Sequence, residues 1–356
     1  MWKYVLELCL MLLVCLGAGS VIYHFHTETP QELGSVESPQ GSDCARNANA
    51  DADPCYFLSH AGRQRQYLVH VPPRRARAAT PVVINFHGAQ GTAASQGFLS
   101  RMNDVADAHG FLVVYPEGIE GTFNVGTGYG MAKSANVDDV GFTDALIQEL
   151  VQKFGADPNR VYLTGLGNGA MLCYHVASRL PYRIAAIAPV GGGLPAYGEF
   201  ESTWPKTVPA IGLTPLEQVS YTYAQLLAAQ RIPVPLIHFH GEKDSCVPLA
   251  GGIGVNDCQQ VQHRPIRETI DRWIERNRCS SLALETIEEK AFTCRRYGPG
   301  AGENGAPVVL YTLAESGHAW PGGIDLAAGL KTGPLVGTVD ASMLMWKFFE
   351  SVGVRR

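Results

Sequence analysis

The sequence is short of charge. Of its 356 residues only 17% are Asp, Glu, Lys or Arg, and acids outnumber bases 33 to 28, for a formal net charge of −5. That balance lacks the basic footprint of a nucleic-acid binder, so no nucleic-acid partner is expected. Glycine-rich phosphate loops, nicotinamide fingerprints and zinc-type cysteine spacings are also missing, and no cofactor or metal is expected. No internal repeat is found. With 46% hydrophobic residues, the low charge excludes a disordered chain and allows a sizeable core. The length fits one large α/β domain or two smaller ones.

Tyr4 to Tyr23 is almost wholly apolar, broken only by Glu7 and Ser20. Residues 1–26 are therefore expected to be a signal peptide or a signal-anchor helix, and Ala18-Gly19-Ser20 supplies the small residues that cleavage needs. Residues 27–52 are polar and aperiodic, a flexible linker, and 53–356 form the folded domain. Either reading of the first segment exports the domain to an extracellular or periplasmic compartment, with an N-terminal membrane anchor as the second possibility.

Cysteine usage agrees with export. Cys44 and Cys55, Cys246 and Cys258, and Cys279 and Cys294 are close pairs, each able to close a short loop, although spacing does not decide connectivity. Cys173 is left alone on an apolar helix pattern, where a thiol packs as a small hydrophobe.

From about Gln64 short apolar runs alternate with helical stripes. Gln66 to Val71, Pro81 to Phe86, Phe111 to Tyr115, Val161 to Thr164, Ile184 to Ile187, Pro235 to Phe239 and Val308 to Tyr311 read as strands, most of them buried on both faces. Phe98, Met102, Val105 and Ala106 predict one helix face. Phe142, Leu146, Leu150 and Phe154 predict a second, with Asp138 and Asp139 at its start to favour the dipole. Ile266, Ile270, Trp273 and Ile274 predict a third, and Asp340 caps a last helix carrying Met343, Trp346 and Phe349. This order predicts an open, mostly parallel sheet with helices on both faces, whose ligands bind at the carboxyl ends of the strands.

Those ends carry the chemistry-bearing motifs. Gly165-Leu166-Gly167-Asn168-Gly169 joins a strand to a helix. A sharp turn of this kind lifts one side chain above the sheet edge, beside helix N–H groups able to hold an oxyanion. A serine hydrolase has G-x-S-x-G here; this chain has both flanking glycines and no nucleophile. By itself the segment is equally an ordinary glycine-rich turn. The loop after Phe86, His87-Gly88-Ala89, offers a second oxyanion N–H. Asp244 follows the next strand but one, where a carboxylate can orient an imidazole, and His318 lies in a glycine-flanked loop after the last strand. The order elbow, acid, histidine is that of α/β-hydrolases. His238 and His240 alternate on one strand, which permits a metal, but no third ligand is apparent.

Phe86-His-Gly88, Tyr115-Pro-Glu-Gly118, Asn136 to Phe142, Asn159 to Gly165, Arg183 to Pro189, His240-Gly241 with Asp244, and Gly317 to Gly323 occur in order. In these the chain resembles the feruloyl esterase/polyhydroxybutyrate depolymerase group, carbohydrate esterase family 1 and its relatives, from about Tyr67 to Val352. The resemblance implies an α/β-hydrolase fold and Ser-His-Asp ester hydrolysis. It implies Asp244 as the acid, His318 as the base, the N–H groups of Ala89 and Asn168 as the oxyanion hole, and Trp320 as a wall of the acyl pocket. It also implies a Cys279–Cys294 disulfide, and a small ester, polyester or feruloylated polysaccharide as ligand.

Three departures accompany the resemblance. Gly167 stands where relatives have serine. The Trp-Asn and cysteine pair that many carry near Phe123 to Tyr129 are missing, and Tyr197 to Arg231 is longer than expected. Glycine cannot attack a carbonyl. The readings are a pseudoenzyme that binds an ester or glycan, a serine hydrolase whose nucleophile has been replaced, or direct activation of water by His318 with Asp244.

Overall fold

The computed structural model describes residues 53–75, 79–126, 128, 130–194, 232–255, 261–300, 304–324 and 339–354. All belong to one compact unit, Asp51–Arg356. The predicted export segment and linker, and Cys44 and Cys258, lie outside them. No described helix is long and apolar enough to cross a membrane.

The chain enters as an antiparallel hairpin, β1 (Cys55–His60) and β2 (Arg63–His70), then forms β3 (Thr80–Phe86). Two short helices follow, α1 (Ala93–Ser100) and α2 (Met102–His109), before β4 (Leu112–Pro116) and the single turn α3 (Met131–Ser134). Next come α4 (Asp139–Phe154), β5 (Ala156–Leu166), α5 (Asn168–Arg179), β6 (Ala186–Val190) and β7 (Leu236–Gly241). A small ribbon, β8 (Gly252–Ile253) with β9 (Gln262–His263), precedes α6 (Ile266–Arg276). The chain closes with β10 (Glu285–Glu288), β11 (Phe292–Tyr297), β12 (Val308–Leu313) and α7 (Ala341–Val352).

Ten strands form one sheet in the order β1-β2-β4-β3-β5-β6-β7-β12-β11-β10. The six from β4 to β12 are parallel, with antiparallel strands added at both edges. Side chains alternate across the sheet. Val82 and Ile84 join one core with α4, α5 and α6, whereas Val83 joins the other with α2 and α7. Both faces are therefore covered, as continuous apolar runs require. The fold is that of an α/β-hydrolase, as expected.

The structure corrects the helix predicted around Phe98. Arg101 adopts φ 53°, a left-handed conformation, and splits the stripe into α1 and α2. Met102, Val105 and Ala106 are buried, while Phe98 is exposed. The two acids at the start of α4 also part company. Asp138 caps the helix, accepting from the Gly141 N–H at 2.8 Å, as expected. Asp139 is buried and ion-paired with Arg65 at 2.7 Å.

Candidate active site

The carboxyl ends of β3, β5, β6, β7 and β12 converge on one rim. At its centre Gly167 links β5 to α5 with φ 52° and ψ −109°. This conformation is open to glycine and strained for other residues. Hydrogen bonds pin the bend on both sides: the Gly167 N–H donates to Val190 O at 2.9 Å, and Met171 N–H donates to Gly167 O at 3.0 Å. The flanking glycines have a steric reason. A Cβ on Gly165 would stand 2.6 Å from Phe86 O, and one on Gly169 would strike the same carbonyl. Thr164 is buried, and its hydroxyl donates to Ala188 O at 2.6 Å.

His318 faces the bend. A Cβ built on Gly167 lies 2.7 Å from its Nε2. On the other side of the ring, Nδ1 donates to Asp244 Oδ2 at 2.8 Å. The second carboxylate oxygen accepts from the N–H groups of Cys246 and Val247 at 2.9 and 2.8 Å. Burial alone pushes the Asp244 carboxyl up, but the His318 imidazole and these donors outweigh it and hold the carboxyl below its usual range. Burial likewise pushes His318 down, and the Asp244 charge and hydrogen bond outweigh it, so the imidazole sits above its usual value. Nearby His263 is lowered to about 4, first by burial and then by His318. A base oriented by a buried carboxylate can take a proton from whatever lies between Nε2 and the bend.

The resemblance names two backbone N–H groups, those of Asn168 and Ala89, for the oxyanion hole. Asn168 opens α5, so its N–H has no acceptor inside the helix. The Asn168 side chain grips one residue twice: Oδ1 accepts from Phe123 N–H at 2.7 Å, and Nδ2 donates to Phe123 O at 3.1 Å. The Ala89 N–H shares a peptide plane with Gly88 C=O. That carbonyl accepts from His87 Nδ1 at 2.7 Å and from Gly91 N–H at 3.0 Å. In a trans peptide the N–H points opposite the carbonyl, so the Ala89 N–H is aimed away from His87. Gly118 N–H donates to His87 Nε2 at 2.9 Å, which fixes the His87 proton on Nδ1.

Behind Phe123, Asn124 N–H donates to Asp139 Oδ2 at 2.7 Å, and Arg65 holds the other carboxylate oxygen. Burial raises the Asp139 carboxyl, against the Arg65 charge and the Asn124 amide. Sequence reasoning missed this buttress. Arg65 lies in the polar string Arg63-Gln-Arg-Gln66, which reads as exposed, and Asp139 reads as a helix-start acid.

Trp320 is a correction. It is 1% exposed, donates its indole N–H to Ser342 Oγ at 3.0 Å, and packs in the core with Met345 and Phe349. It anchors the His318 loop to α7 and offers no open wall. The Cys279–Cys294 disulfide is a second correction, since neither cysteine is in a disulfide. Cys294 packs in the core on one face of the sheet and Cys279 against the core on the other. Cys55 and Cys246 are disulfide-bonded, and Cys173 is a buried free thiol as expected. The Cys246 sulfur lies with Asp244 and His318 ligand atoms within 4.8 Å of one another, but as a disulfide sulfur it is no thiolate ligand. His238 and His240 bond to each other and to Tyr174 and Val247, which uses all four ring nitrogens.

A ten-stranded sheet, a glycine-flanked elbow and a carboxylate-held histidine in that chain order define an α/β-hydrolase. The profile of the family described as "Esterase PHB depolymerase" matches residues 65–253, and the chain belongs to that family. NocK of Nocardia uniformis subsp. tsuyamanensis, assigned as an esterase, is 26% identical over 74% of this chain and 72% of its own length. Feruloyl esterase B of Piromyces equi is 26% identical over 68% of this chain and 40% of its own length. Poly(3-hydroxyalkanoate) depolymerase C of Paucimonas lemoignei is 33% identical over 36% of this chain and 31% of its own length. The chain thus spans less than half the length of the last two relatives. Among solved structures, the acetyl xylan esterase from Aspergillus awamori aligns over 75% of this chain and 94% of its own, with a TM-score of 0.50 and 17% identity.

Proposed function

We propose that the chain carries the site of an exported carboxylic-ester hydrolase of the Ser-His-Asp type with Gly167 at the nucleophile position. As it stands, it binds its ester without forming an acyl-enzyme. The ester carbonyl is held by the N–H groups of Asn168 and Ala89, beside the imidazole of His318 oriented by Asp244. The single observation that carries this is the 2.7 Å between His318 Nε2 and a Cβ on Gly167. A bend unrelated to catalysis has no reason to meet a carboxylate-held imidazole there.

Without a nucleophile, what remains is binding, the oxyanion donors and a base able to polarise water. That residue of catalysis is worth roughly thousandfold over water, far below an intact triad. The names of the relatives support a small ester, a polyester or a feruloylated polysaccharide as ligand. On this reading residues 1–26 export or anchor the domain, and Cys44 and Cys258 pair with Cys55 and Cys246.

The test is hydrolysis of para-nitrophenyl acetate and butyrate by the native protein beside Gly167→Ser. Turnover by the serine form, about a millionfold above the native rate, is the expected result. Equal turnover by both removes Gly167 from the working site. Turnover by neither overturns the assignment of Asp244 and His318.

A further inference from the structure

Two buried histidines behind the acid are not used by the reading above. His238 and His240 point to the same face of β7 and stack with ring centroids 5.3 Å apart. Both are fully enclosed, at 0% and 1% exposure. Each sits at one end of a single hydrogen bond between His238 Nε2 and His240 Nδ1, 3.1 Å long. His240 Nε2 continues to Val247 O at 2.8 Å, and His238 Nδ1 meets the Tyr174 hydroxyl at 2.9 Å.

The protons of this chain are dictated from one end. A backbone carbonyl only accepts, so His240 carries its proton on Nε2. Its Nδ1 is then an acceptor, and His238 donates to it from Nε2. The Nδ1 of His238 is left as an acceptor, and Tyr174 donates to it. Every proton points the same way, from α5 through β7 to the turn after it. Burial lowers both imidazoles below their usual range and keeps them neutral.

The turn at the receiving end is the one that grips the acid. The N–H of Val247 donates to Asp244 Oδ1, and the C=O of Val247 accepts from His240. One residue is therefore held from both sides, by the carboxylate in front and by the imidazole behind. Asp244 Oδ2 is also 3.5 Å from His240 Nε2, but that nitrogen's proton already goes to the carbonyl.

We propose that His240, its tautomer set by the Val247 carbonyl and relayed to His238 and Tyr174, is a positioning residue that fixes the Asp244 turn and thereby the orientation of His318. The proposal rests on the reading of Asp244 and His318 as the working pair. The same run of hydrogen bonds ends on Tyr174, a residue of the elbow helix α5. The helix that follows Gly167 and the turn that carries Asp244 are thus joined by side chains as well as by the sheet.

The test reads the rings and needs no turnover. Long-range proton–nitrogen correlation spectra of the native protein report the tautomer of each histidine. Neutral Nε2–H forms of His238 and His240 are expected, with His318 donating from Nδ1. A proton on Nδ1 of either His238 or His240 overturns the proposal. The charged and titratable groups facing His318 are Asp244, His240 and His263; those facing the two buried rings are Tyr174, Asp244 and His318.

His240→Leu removes the donor to Val247. It is expected to move the His318 titration down by about one unit, as a loosened carboxylate partner does. His240→Gln keeps an N–H at similar reach and is expected to restore most of that shift. An unchanged His318 titration in a folded His240→Leu protein overturns the proposal. If that variant does not fold, Tyr174→Phe decides. His238 is then expected to keep its proton on Nε2, because the Val247 carbonyl dictates the chain from the other end, and a switch to Nδ1 overturns the proposal. In the Gly167→Ser background His240→Leu is expected to lower kcat about tenfold with little change in KM. A serine form without turnover but with the ring signals in place sinks the hydrolase reading and leaves the positioning of Asp244 standing.

Discussion

The imidazole of His318 occupies the space into which a side chain at residue 167 would grow. Its Nε2 is 2.7 Å from the Cβ position of Gly167, closer than real Cβ contacts come, and its Cε1 is at a tight 3.0 Å. The ring is the far end of a side chain on a loop, so it can retreat, and the acid behind it is fixed by two backbone amides.

The first prediction concerns the stability of Gly167→Ser. A residue other than glycine at φ 52° and ψ −109° carries strain, on the order of 1–3 kcal/mol. The serine form is expected to unfold at lower urea by about that amount, measured by circular dichroism with the slope unchanged. Equal midpoints would show that the bend relaxes when its side chain is restored.

The second prediction is a pH profile of stability. His318 is raised in the folded state, so its contribution is fully present below its free value near 6.5 and is lost as pH rises through the raised value. Asp244 is lowered, so its contribution is present above its free value of about 3.9 and is lost as pH falls through the depressed value. The pair therefore stabilises most between about pH 4 and 6.5. Asp244→Asn is expected to abolish the alkaline loss, read from urea midpoints across pH; a profile identical to the native one contradicts the linkage. In the Gly167→Ser background, turnover is expected to rise with pH through a value above about 6.5 as His318 loses its proton.

The third concerns the buttress. Arg65 and Asp139 are both enclosed, with side chains 1% and 0% exposed. Arg65→Leu strands a buried carboxylate, and a loss of about 3–5 kcal/mol is expected from chemical denaturation. A loss under about 1 kcal/mol would mean that Asp139 takes up a proton without consequence.

The fourth is chemical. Cys173, Cys279 and Cys294 are outside any disulfide. Maleimide labelling of the unreduced, unfolded protein followed by peptide mass mapping is expected to tag all three. A disulfide-linked peptide joining Cys279 to Cys294 would contradict the structure.

Much of this was legible in the residues. Central strands such as Val82 to Phe86 are buried on both faces and show as unbroken apolar runs. The edge strands were not visible for the same reason inverted: Glu285–Glu288 is largely exposed and Phe292–Tyr297 mixes both kinds. The break at Arg101 was hidden because arginine gives no signal for a left-handed backbone. The Gly167, Asp244 and His318 loops were marked by glycine and by chain order. The supporting contacts were not: Arg65 with Asp139, Asn168 with Phe123 and His240 with Val247 join positions that only the folded sheet brings together, apart from the last, which spans one turn.

The backbone at residue 167 sets a ratchet on the history of such a chain. On the proposed reading, a serine there would hold a contorted backbone at the tip of the bend, and a change to glycine would relax it. The reverse step must reinstate the contortion and push an imidazole aside before any benefit of turnover is felt. If that reading holds, a nucleophile at this bend is expected to be lost more readily than regained.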